Sequence, residues 1–346
     1  MGLDVTEGVG KTGVVASLTV GDGKKVIGIR ADMDAINLTE ASTHDHISKN
    51  AGKMHACGHD GHTVTLLGAA KLLSESKDFS GTVRFIFQPA EEPGYGAKAM
   101  LEDGLLERFP MDEIYGLHNA PSLRAGVICT KPGPIMASED NFTVKITGRG
   151  CHASAPHMGI DPFAAAAEIY LALQTVVSRS VNPLHPAVVS VTEVYMDGAH
   201  NAIPSHVELR GDTRSYSTED SALIEKRMRE ICLGVCALNG ATCEFTYTHE
   251  FYPTINDKAC TMAALEAAVH TVGAENVNGD CEPLTASEDF ALFLREVPGC
   301  YLFLGSAKDR DPSKIAPLHN ATFDYNDDVL TVGAAFWARL ARERLV

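Results

Sequence analysis

The chain has 346 residues, a hydrophobic fraction of 45% and a formal net charge of −16 at pH 7. The length and the apolar content predict a sizeable core, divided between two domains. The negative charge argues against nucleic acid and anionic membrane surfaces as partners, and no stretch has the length of a membrane span.

The first ten residues and the cysteines bear on the cellular compartment. Residues 1–10 have neither the basic start nor the apolar stretch of a secretory signal. The cysteines number nine, and no pair of them forms a Cys-x-x-Cys motif. Such usage is typical of a reducing compartment, so we predict a cytoplasmic protein.

The first part of the chain alternates short strands with helices. Apolar runs predict strands, and apolar residues that recur at three and four predict helices. In chain order, the strands cover 13–20, 25–30, 82–88 and 113–117, and the helices cover 61–76 and 96–101. This alternation is typical of an α/β fold with a largely parallel sheet flanked by helices.

The middle of the chain follows a different order, β-α-β-β-α-β. The predicted strands cover 142–147, 187–194, 206–209 and 242–248, and the predicted helices cover 161–178 and 221–238. This order is typical of a ferredoxin-like α+β sandwich. Afterwards come helices at 260–272 and 288–295, a strand at 300–304 and a C-terminal helix that runs to Leu345. We therefore predict a discontinuous catalytic domain (1–137 and 255–346) with an inserted domain at 138–254.

One early motif resembles a phosphate-binding loop. Residues 8–13 read Gly-Val-Gly-Lys-Thr-Gly, but the full pattern needs a glycine where Val5 stands. A helix should follow such a loop, whereas residues 14–20 predict a strand. We therefore do not expect nucleotide binding at this motif.

The segment 55–62 is a much stronger signal. It places three histidines, Cys57 and Asp60 within eight residues at the start of a predicted helix. Imidazole and thiolate are good ligands for zinc and similar ions, and Gly58 and Gly61 would let the backbone fold tightly around an ion. A polar loop whose histidines cap a helix is the alternative, but the density of donors favours a metal site.

Further donors follow other predicted strands. Asp32 and Asp34 follow one strand, the acidic pair within 88–92 follows a second, and His118 ends a third. His319 lies far downstream. Because open α/β sheets place their ligands at the carboxyl ends of strands, we expect these groups to meet at one edge.

Together these motifs resemble the M20 peptidase family. Within that family they are similar to the amidohydrolase branch, which contains hippurate hydrolases, N-acyl-amino-acid amidohydrolases and auxin-conjugate hydrolases. The matching segments run in order along nearly the whole chain and are 30–35, 54–63, 87–92, 150–153 and 287–290.

The resemblance implies a role for each matched residue. Five positions match metal ligands for two divalent ions (Zn, Mn, Ni or Co), and the thiolate of the first would bridge them: Cys57, His59, Glu92, His118 and His319. Glu91 matches the general base, and His152 matches a histidine that steadies the oxyanion. Asn201 and Arg214 match substrate-binding positions, although a surface ion pair is an equal alternative for Arg214. Either Asp32 or Asp34 matches an acid that supports a ligand.

The implied activity is hydrolysis of the amide bond of N-acyl amino acids such as hippurate, with release of a carboxylic acid and a free amino acid. A dipeptidase or carboxypeptidase of the same metal class is one alternative. A thiol hydrolase with Cys57 as nucleophile and a non-catalytic metal-binding protein are the others. The resemblance also implies a homodimer in which the inserted domain is a lid and dimerisation domain, and leaves open whether His152 acts within its own chain or across the dimer.

The chain departs from the family pattern at three points. Members usually begin some tens of residues earlier, with a helical segment. Cys151 stands where a glycine is usual, and Asn37 stands where a proline is common. None of these departures removes a matched ligand.

Overall fold

The computed structural model describes residues 1–309 and 314–346, which form two compact units. The first unit contains Met1–Ile135, Thr254–Glu282 and Glu288–Val346, and the second contains Met136–Pro253 and Pro283–Ser287. Within the described ranges, no helix is both long enough and apolar enough to cross a membrane.

The strands are numbered in chain order. They are β1 Asp4–Val9, β2 Gly13–Val20, β3 Val26–Asp32, β4 Gly81–Gln88, β5 Glu113–Arg124, β6 Ile128–Cys129, β7 Gly133–Met136, β8 Glu139–Thr147, β9 Cys151–His152, β10 Ala187–Met196, β11 Ala202–Ile203, β12 His206–Ser215, β13 Thr242–Phe251, β14 Thr254–Asn256, β15 Val277–Asn278 and β16 Gly299–Ala307.

The α-helices are numbered in the same way. They are α1 His59–Ser76, α2 Gly96–Glu102, α3 Leu105–Arg108, α4 Pro162–Arg179, α5 Thr218–Leu238, α6 Lys258–Val272, α7 Ala291–Glu296 and α8 Leu330–Arg344.

The first unit is built on an eight-stranded sheet with the order β1-β2-β4-β3-β5-β16-β6-β15. The central strands β4, β3, β5 and β16 pair in parallel, whereas β1, β2 and β6 add antiparallel pairs towards the edges. Parallel strands with helical cover are buried on both faces, which explains the apolar runs in β3 and β4. The predicted α/β fold with a largely parallel sheet is confirmed.

One apolar core holds the helices α1, α6 and α8 against this sheet. Its fully buried members come from the sheet and from all three helices, and include Ile27, Ile29, Phe85, Leu66, Ala264, Phe336, Trp337 and Leu340. Burial of such side chains stabilises the fold by about 1.5–3 kcal/mol for each large residue. The same packing fixes the start of α1, where the candidate ligands lie.

The second unit has a four-stranded antiparallel sheet with the order β10-β12-β8-β13. Its core joins alternate residues of β8 and β12, such as Val144 and Leu209, to α4 and α5 through Ile169 and Met228. The sequence order β-α-β-β-α-β and the strand order are those of the predicted ferredoxin-like sandwich. Cys232 and Cys236 are buried in this core.

Several elements differ from the sequence prediction, and three of them lie in the first unit. β1 was not predicted, and it pairs with β2 so that the glycine-rich stretch 8–13 is a hairpin turn without a following helix. β5 does not end at Leu117, because pairing with β16 continues to Arg124. The helix predicted from Glu288 begins only at Ala291, since the side chain of Glu288 turns inward to a buried arginine.

Candidate functional site

Separate segments of the first unit bring the predicted ligands together. Cys57 lies in the turn before α1, and His59 is the first residue of that helix. Glu92 follows β4, whereas His118 lies within β5, level with the end of β3, and not at a strand end. His319 lies between β16 and α8.

The Sγ atom of Cys57 lies at the centre of the five predicted ligands. This atom lies 3.4 Å from Nε2 of His118 and 3.3 Å from Nε2 of His319. Oε1 of Glu92 lies 3.2 Å from the same His319 nitrogen and 3.9 Å from Nε2 of His59. The five predicted ligands therefore present a thiol, three imidazoles and a carboxylate to one small volume.

The backbone takes unusual conformations where these donors attach. Gly58 has φ 91°, and an added Cβ there would lie 2.5 Å from Oδ1 of Asn119. Ala90 and His319, with φ of 50° and 61°, are left-handed although they are not glycines. Left-handed non-glycine residues cost free energy and cluster at functional sites. The backbone N–H of His319 also donates to the carbonyl of Ala56, 2.9 Å away, which pins it beside Cys57.

Hydrogen bonds orient two of the imidazoles. Nδ1 of His59 donates to Oδ1 of Asp34 at 3.3 Å, and Oδ2 of Asp34 accepts from the backbone N–H of Glu92 at 3.2 Å. Nδ1 of His118 donates to the carbonyl of Asn119 at 2.8 Å. When the proton is held on Nδ1, the lone pair of Nε2 is free to bind a metal.

Two buried atoms of the cluster have no hydrogen-bond partner within the described residues: Nε2 of His59 and Oε1 of Glu92. A buried polar atom without a partner costs about 1–3 kcal/mol. A cation would satisfy both atoms, and a set of thiolate, imidazole and carboxylate suits a divalent transition ion. The residues present therefore fit a metal site.

Asp32 and His62 form a second layer behind the cluster. Nδ1 of His62 donates to Oδ1 of Asp32 at 2.6 Å, and its Nε2 accepts from the backbone N–H of Asn119 at 3.0 Å. Both nitrogens of His62 are therefore occupied. Asp34 therefore hydrogen-bonds to the predicted ligand His59. Asp32 hydrogen-bonds to His62, and its Oδ2 also lies 3.8 Å from Nε2 of His59.

A buried arginine network lies beside Glu91, and the sequence reasoning assigned it no role. Arg30 is 1% exposed, and its guanidinium donates to three carboxylates and one side-chain amide. The acceptors are Asp32 at 2.8 Å, Glu288 at 2.9 Å, Asp289 at 3.1 Å and the amide oxygen of Gln88 at 2.8 Å. An arginine inside an apolar strand, followed two residues later by an acid, was the available signal.

Glu91 is buried with Glu288 and Asp289, and carboxylate oxygens of all three lie within 4.8 Å of one another. Burial raises the pKa of Glu91 well above its usual value, and repulsion from Glu288 and Asp289 adds to this effect. A base with a raised pKa holds a proton more readily once it has taken one.

The cluster carries more acidic groups than cations. Burial lowers the pKa of His59, but Asp32 and the hydrogen bond to Asp34 outweigh that effect and raise it to about 9. Burial raises the pKa of the Cys57 thiol well above its usual value, and the nearby Glu92 adds to the effect. The surroundings thus favour positive charge, which divalent cations supply.

The second unit carries the other predicted site residues. His152 in β9 pairs with Ala202 in β11, and the backbone N–H of Ala153 donates to the carbonyl of Asn201 at 2.9 Å. Nδ1 of the exposed His152 accepts from the backbone N–H of Ser154 at 3.1 Å. A neutral His152 ring therefore carries its proton on Nε2, ready to donate.

Arg214 lies elsewhere in that unit. It is near the far end of β12, whereas β11 with Asn201 precedes the start of that strand. Its guanidinium bonds both oxygens of Asp212 at 3.0 Å and Glu139 at 2.9 Å. These ion pairs agree with the alternative reading of Arg214 as part of a surface ion pair. The structure does not place Arg214 together with Asn201 and His152.

The chain is similar to known proteins along nearly its whole length. Residues 28–343 match the model of peptidase family M20/M25/M40. Hippurate hydrolase of Campylobacter jejuni is 40% identical over 344 residues, which are 99% of this chain and 88% of that protein. Thermostable carboxypeptidase 2 of Saccharolobus solfataricus is 38% identical over 348 residues, which are 99% of this chain and 86% of that protein.

A solved structure agrees with these relatives. The YXEP protein of Bacillus subtilis, described as a dinuclear metal binding peptidase from the M20 family, superposes with a TM-score of 0.85 at 35% identity. The match covers 99% of this chain and 88% of that one. From the family match, these identities and the shared fold, the chain belongs to peptidase family M20/M25/M40 and is a hydrolase of amide or peptide bonds.

Proposed function

We propose that the protein hydrolyses the amide bond of N-acyl amino acids of the hippurate class and releases a carboxylic acid and a free amino acid. The observation that carries this proposal is the buried carboxyl of Glu91 directly beside a convergent set of metal donors. The relative named hippurate hydrolase supports the substrate class.

In this proposal, the ligands of two divalent ions would be Cys57, His59, Glu92, His118 and His319. The central position of the Cys57 thiol, between His118 and His319, suits a shared ligand. Nε2 of His59 and Oε1 of Glu92, which have no hydrogen-bond partner among the described residues, support the same ligand set. Zn, Mn, Ni and Co all accept such donors, so the proposal does not choose among them.

Divalent ions in such a site polarise an amide carbonyl and lower the pKa of water towards about 7. Glu91 would take a proton from the attacking water and deliver it to the leaving nitrogen. The neighbouring Glu288 and Asp289 favour the protonated form of Glu91, which helps it to keep the proton until the nitrogen needs it.

His152 remains a predicted catalytic residue, and Asn201 remains a predicted substrate-binding residue. The Nε2–H of His152 is a suitable donor to a developing oxyanion. Asn201 can donate to the carboxylate of an amino acid. Arg214 is the weaker candidate for that carboxylate, because Asp212 and Glu139 already occupy its donors.

A carboxypeptidase or dipeptidase is the second candidate, and the relative named thermostable carboxypeptidase 2 favours it. A non-catalytic metal-binding protein would have no need for the buried base Glu91. A thiol hydrolase needs a reactive thiolate, whereas burial raises the pKa of the Cys57 thiol well above its usual value and the nearby Glu92 adds to this effect.

We also propose a cytoplasmic homodimer that forms through the second unit. The edge strand β10 exposes Val194, Tyr195 and Met196 by 49%, 52% and 49%. An exposed apolar edge strand invites pairing with another chain. Sedimentation equilibrium at micromolar concentration tests this, and a strict monomer contradicts it.

A hydrolysis panel tests the function. Benzoyl-, acetyl-, indoleacetyl- and aminoacyl-amino acids are incubated with the purified chain and either Mn or Zn. Cleavage of the acylated compounds, abolished by EDTA, is the expected result. Activity confined to the aminoacyl compounds would favour the dipeptidase, and activity that survives chelation would favour a thiol enzyme.

A further inference from the structure

The segment that joins β3 to α1 contains a second group of potential ligands. It runs through residues 33–58 and carries two histidines, His44 and His46, two positions apart. Ile36 and Met54 form a bridge at its base, and the backbone N–H of Ala41 donates to the carbonyl of Ala321 at 2.8 Å. The segment therefore lies against the residues that follow His319.

The two histidines converge on Asp324. Nε2 of His46 lies 2.9 Å from Oδ1 of Asp324, and Nε2 of His44 lies 3.7 Å from the same oxygen. Glu40 adds a carboxylate, since its Oε1 lies 3.4 Å from Nε2 of His44. Ligand atoms of His44, His46 and Asp324 lie within 4.8 Å of one another.

The two carboxylate oxygens of Asp324 have different neighbours. Lys308 contacts Oδ2, so Oδ1 is the oxygen that faces the imidazoles. The rings of His44 and His46 stack with centroids 3.8 Å apart and an interplanar angle of 12°. Two protonated imidazoles at this distance would repel each other, so the pair is not explained by charge pairing with Asp324 alone.

One histidine of the cluster makes no hydrogen bond within the described residues. Both ring nitrogens of His44 are buried without a hydrogen-bond partner among the described residues, although 24% of the side chain is exposed. Each such nitrogen costs about 1–3 kcal/mol if nothing binds it. His46 is 66% exposed at the side chain, so an ion could enter from solvent.

We propose that His44, His46 and Asp324, with Glu40 as a fourth ligand, form a second binding site for one divalent transition ion, separate from the donor set around Cys57. Two imidazoles and two carboxylates suit Zn²⁺, Co²⁺, Ni²⁺ or Cu²⁺ better than Mg²⁺ or Ca²⁺. This ion would clamp the segment before Cys57 to the segment after His319. It would therefore stabilise both of the loops that carry ligands of the first site.

Metal stoichiometry tests this site directly. The full chain and the variants His44→Ala, His46→Ala and the double variant are dialysed against buffered Zn²⁺ and analysed by inductively coupled plasma mass spectrometry. The double variant should lose one ion per chain, and each single variant should bind that ion at least ~10-fold more weakly. His270→Ala is the matched control, because it removes a surface histidine whose ion pair among the described residues is with Glu343.

A second measurement separates this site from the first. The His59→Ala variant should still bind the ion at His44 and His46, and bound Co²⁺ should give an absorption band that disappears when His44→Ala and His46→Ala are added in the same background. Added Zn²⁺ should also raise the melting temperature of the His59→Ala variant, and the double substitution in that background should abolish the rise. Unchanged stoichiometry and affinity in the double variant would overturn the proposal and leave only an ion pair between His46 and Asp324.

Discussion

Nδ1 of His59 donates a hydrogen bond to Oδ1 of Asp34, 3.3 Å away, and Nε2 of the same ring lies 3.9 Å from Oε1 of Glu92. The acid lies just beyond β3 and the histidine opens α1, so the contact joins the sheet edge to the helix start. A carboxylate behind a ligating imidazole fixes the tautomer and raises its basicity.

Replacement of this acid should weaken metal binding. In Asp34→Asn the hydrogen bond to His59 loses its charge, and the affinity for Zn²⁺ should fall by about 10–100-fold. Competition with a chromophoric chelator measures the affinity. Asp60→Asn is the control, because the side chain of this exposed neighbour of His59 accepts from the backbone N–H of Gly61 and does not bond to His59 in the part of the chain that the structure describes. Equal affinities for Asp34→Asn and the unchanged chain would exclude the supporting role.

The general base should be separable from metal binding. In Glu91→Gln the turnover number should fall by at least ~10², because no carboxylate remains to carry the proton. The metal content should stay that of the unchanged chain. Glu92→Gln is the contrasting variant, since it should lose metal as well as activity. Near-normal turnover in Glu91→Gln would refute the assignment.

His152 should affect turnover without affecting the metal. Loss of one oxyanion donor costs about 10²–10³ in turnover, so His152→Ala should fall in that range with an unchanged metal content. His157→Ala in the same exposed loop is the control and should keep its activity. Steady-state kinetics with a cleaved member of the panel measures both variants. If the two variants behave alike, His152 is not a catalytic residue.

Two helical glycines should respond oppositely to alanine. At Gly61 an added Cβ would lie 2.3 Å from the ring of Tyr325, so Gly61→Ala should destabilise the protein by about 1–3 kcal/mol. At Gly234 in α5 nothing lies within 4 Å of the added atom, so Gly234→Ala should stabilise by up to about 1 kcal/mol. Urea denaturation measures both changes. Equal effects would mean that Tyr325 does not restrict the start of α1.

Glu113 should make stability depend on acidic pH. Arg344 and Lys25 bind its carboxylate, with Lys25 at 2.8 Å. Burial raises the pKa of Glu113, but the hydrogen bonds from Arg344 and Lys25 outweigh it and lower the pKa to about 2. The unfolded value is about 4.3, so the stabilisation is complete above that pH and disappears as pH falls towards the folded value.

Denaturation of Glu113→Gln between pH 2 and 7 tests this linkage. The unchanged chain should lose about 1–2 kcal/mol more than the variant as the pH falls through this window. Glu102→Gln is the control, because its side chain is 69% exposed and its Lys98 partner lies 3.9 Å away. A pH profile of Glu113→Gln that matches the unchanged chain would contradict the proposed role of the pair.

The sequence alone was sufficient for most elements of both units. Apolar periodicity gave β2 and α4 to within a residue or two, because burial on one face dictates the pattern along a strand or helix. The density of donors in residues 55–62 also indicated a metal site, because few sites other than metal sites place so many potential ligands so close together. The resemblance supplied the five ligands, and their atoms meet in the structure.

The tertiary structure decided what local patterns do not contain. The edge strand β1 and the extension of β5 exist because partner strands supply their hydrogen bonds. The hydrogen bonds of Asp34 to His59 and of Asp32 to His62 are likewise visible only in the tertiary structure. Glu288 and Asp289 both contact Arg30, although they lie 258 and 259 residues away from it in sequence. A buried guanidinium must be paired with negative charge, and here the fold brings these two acids to it.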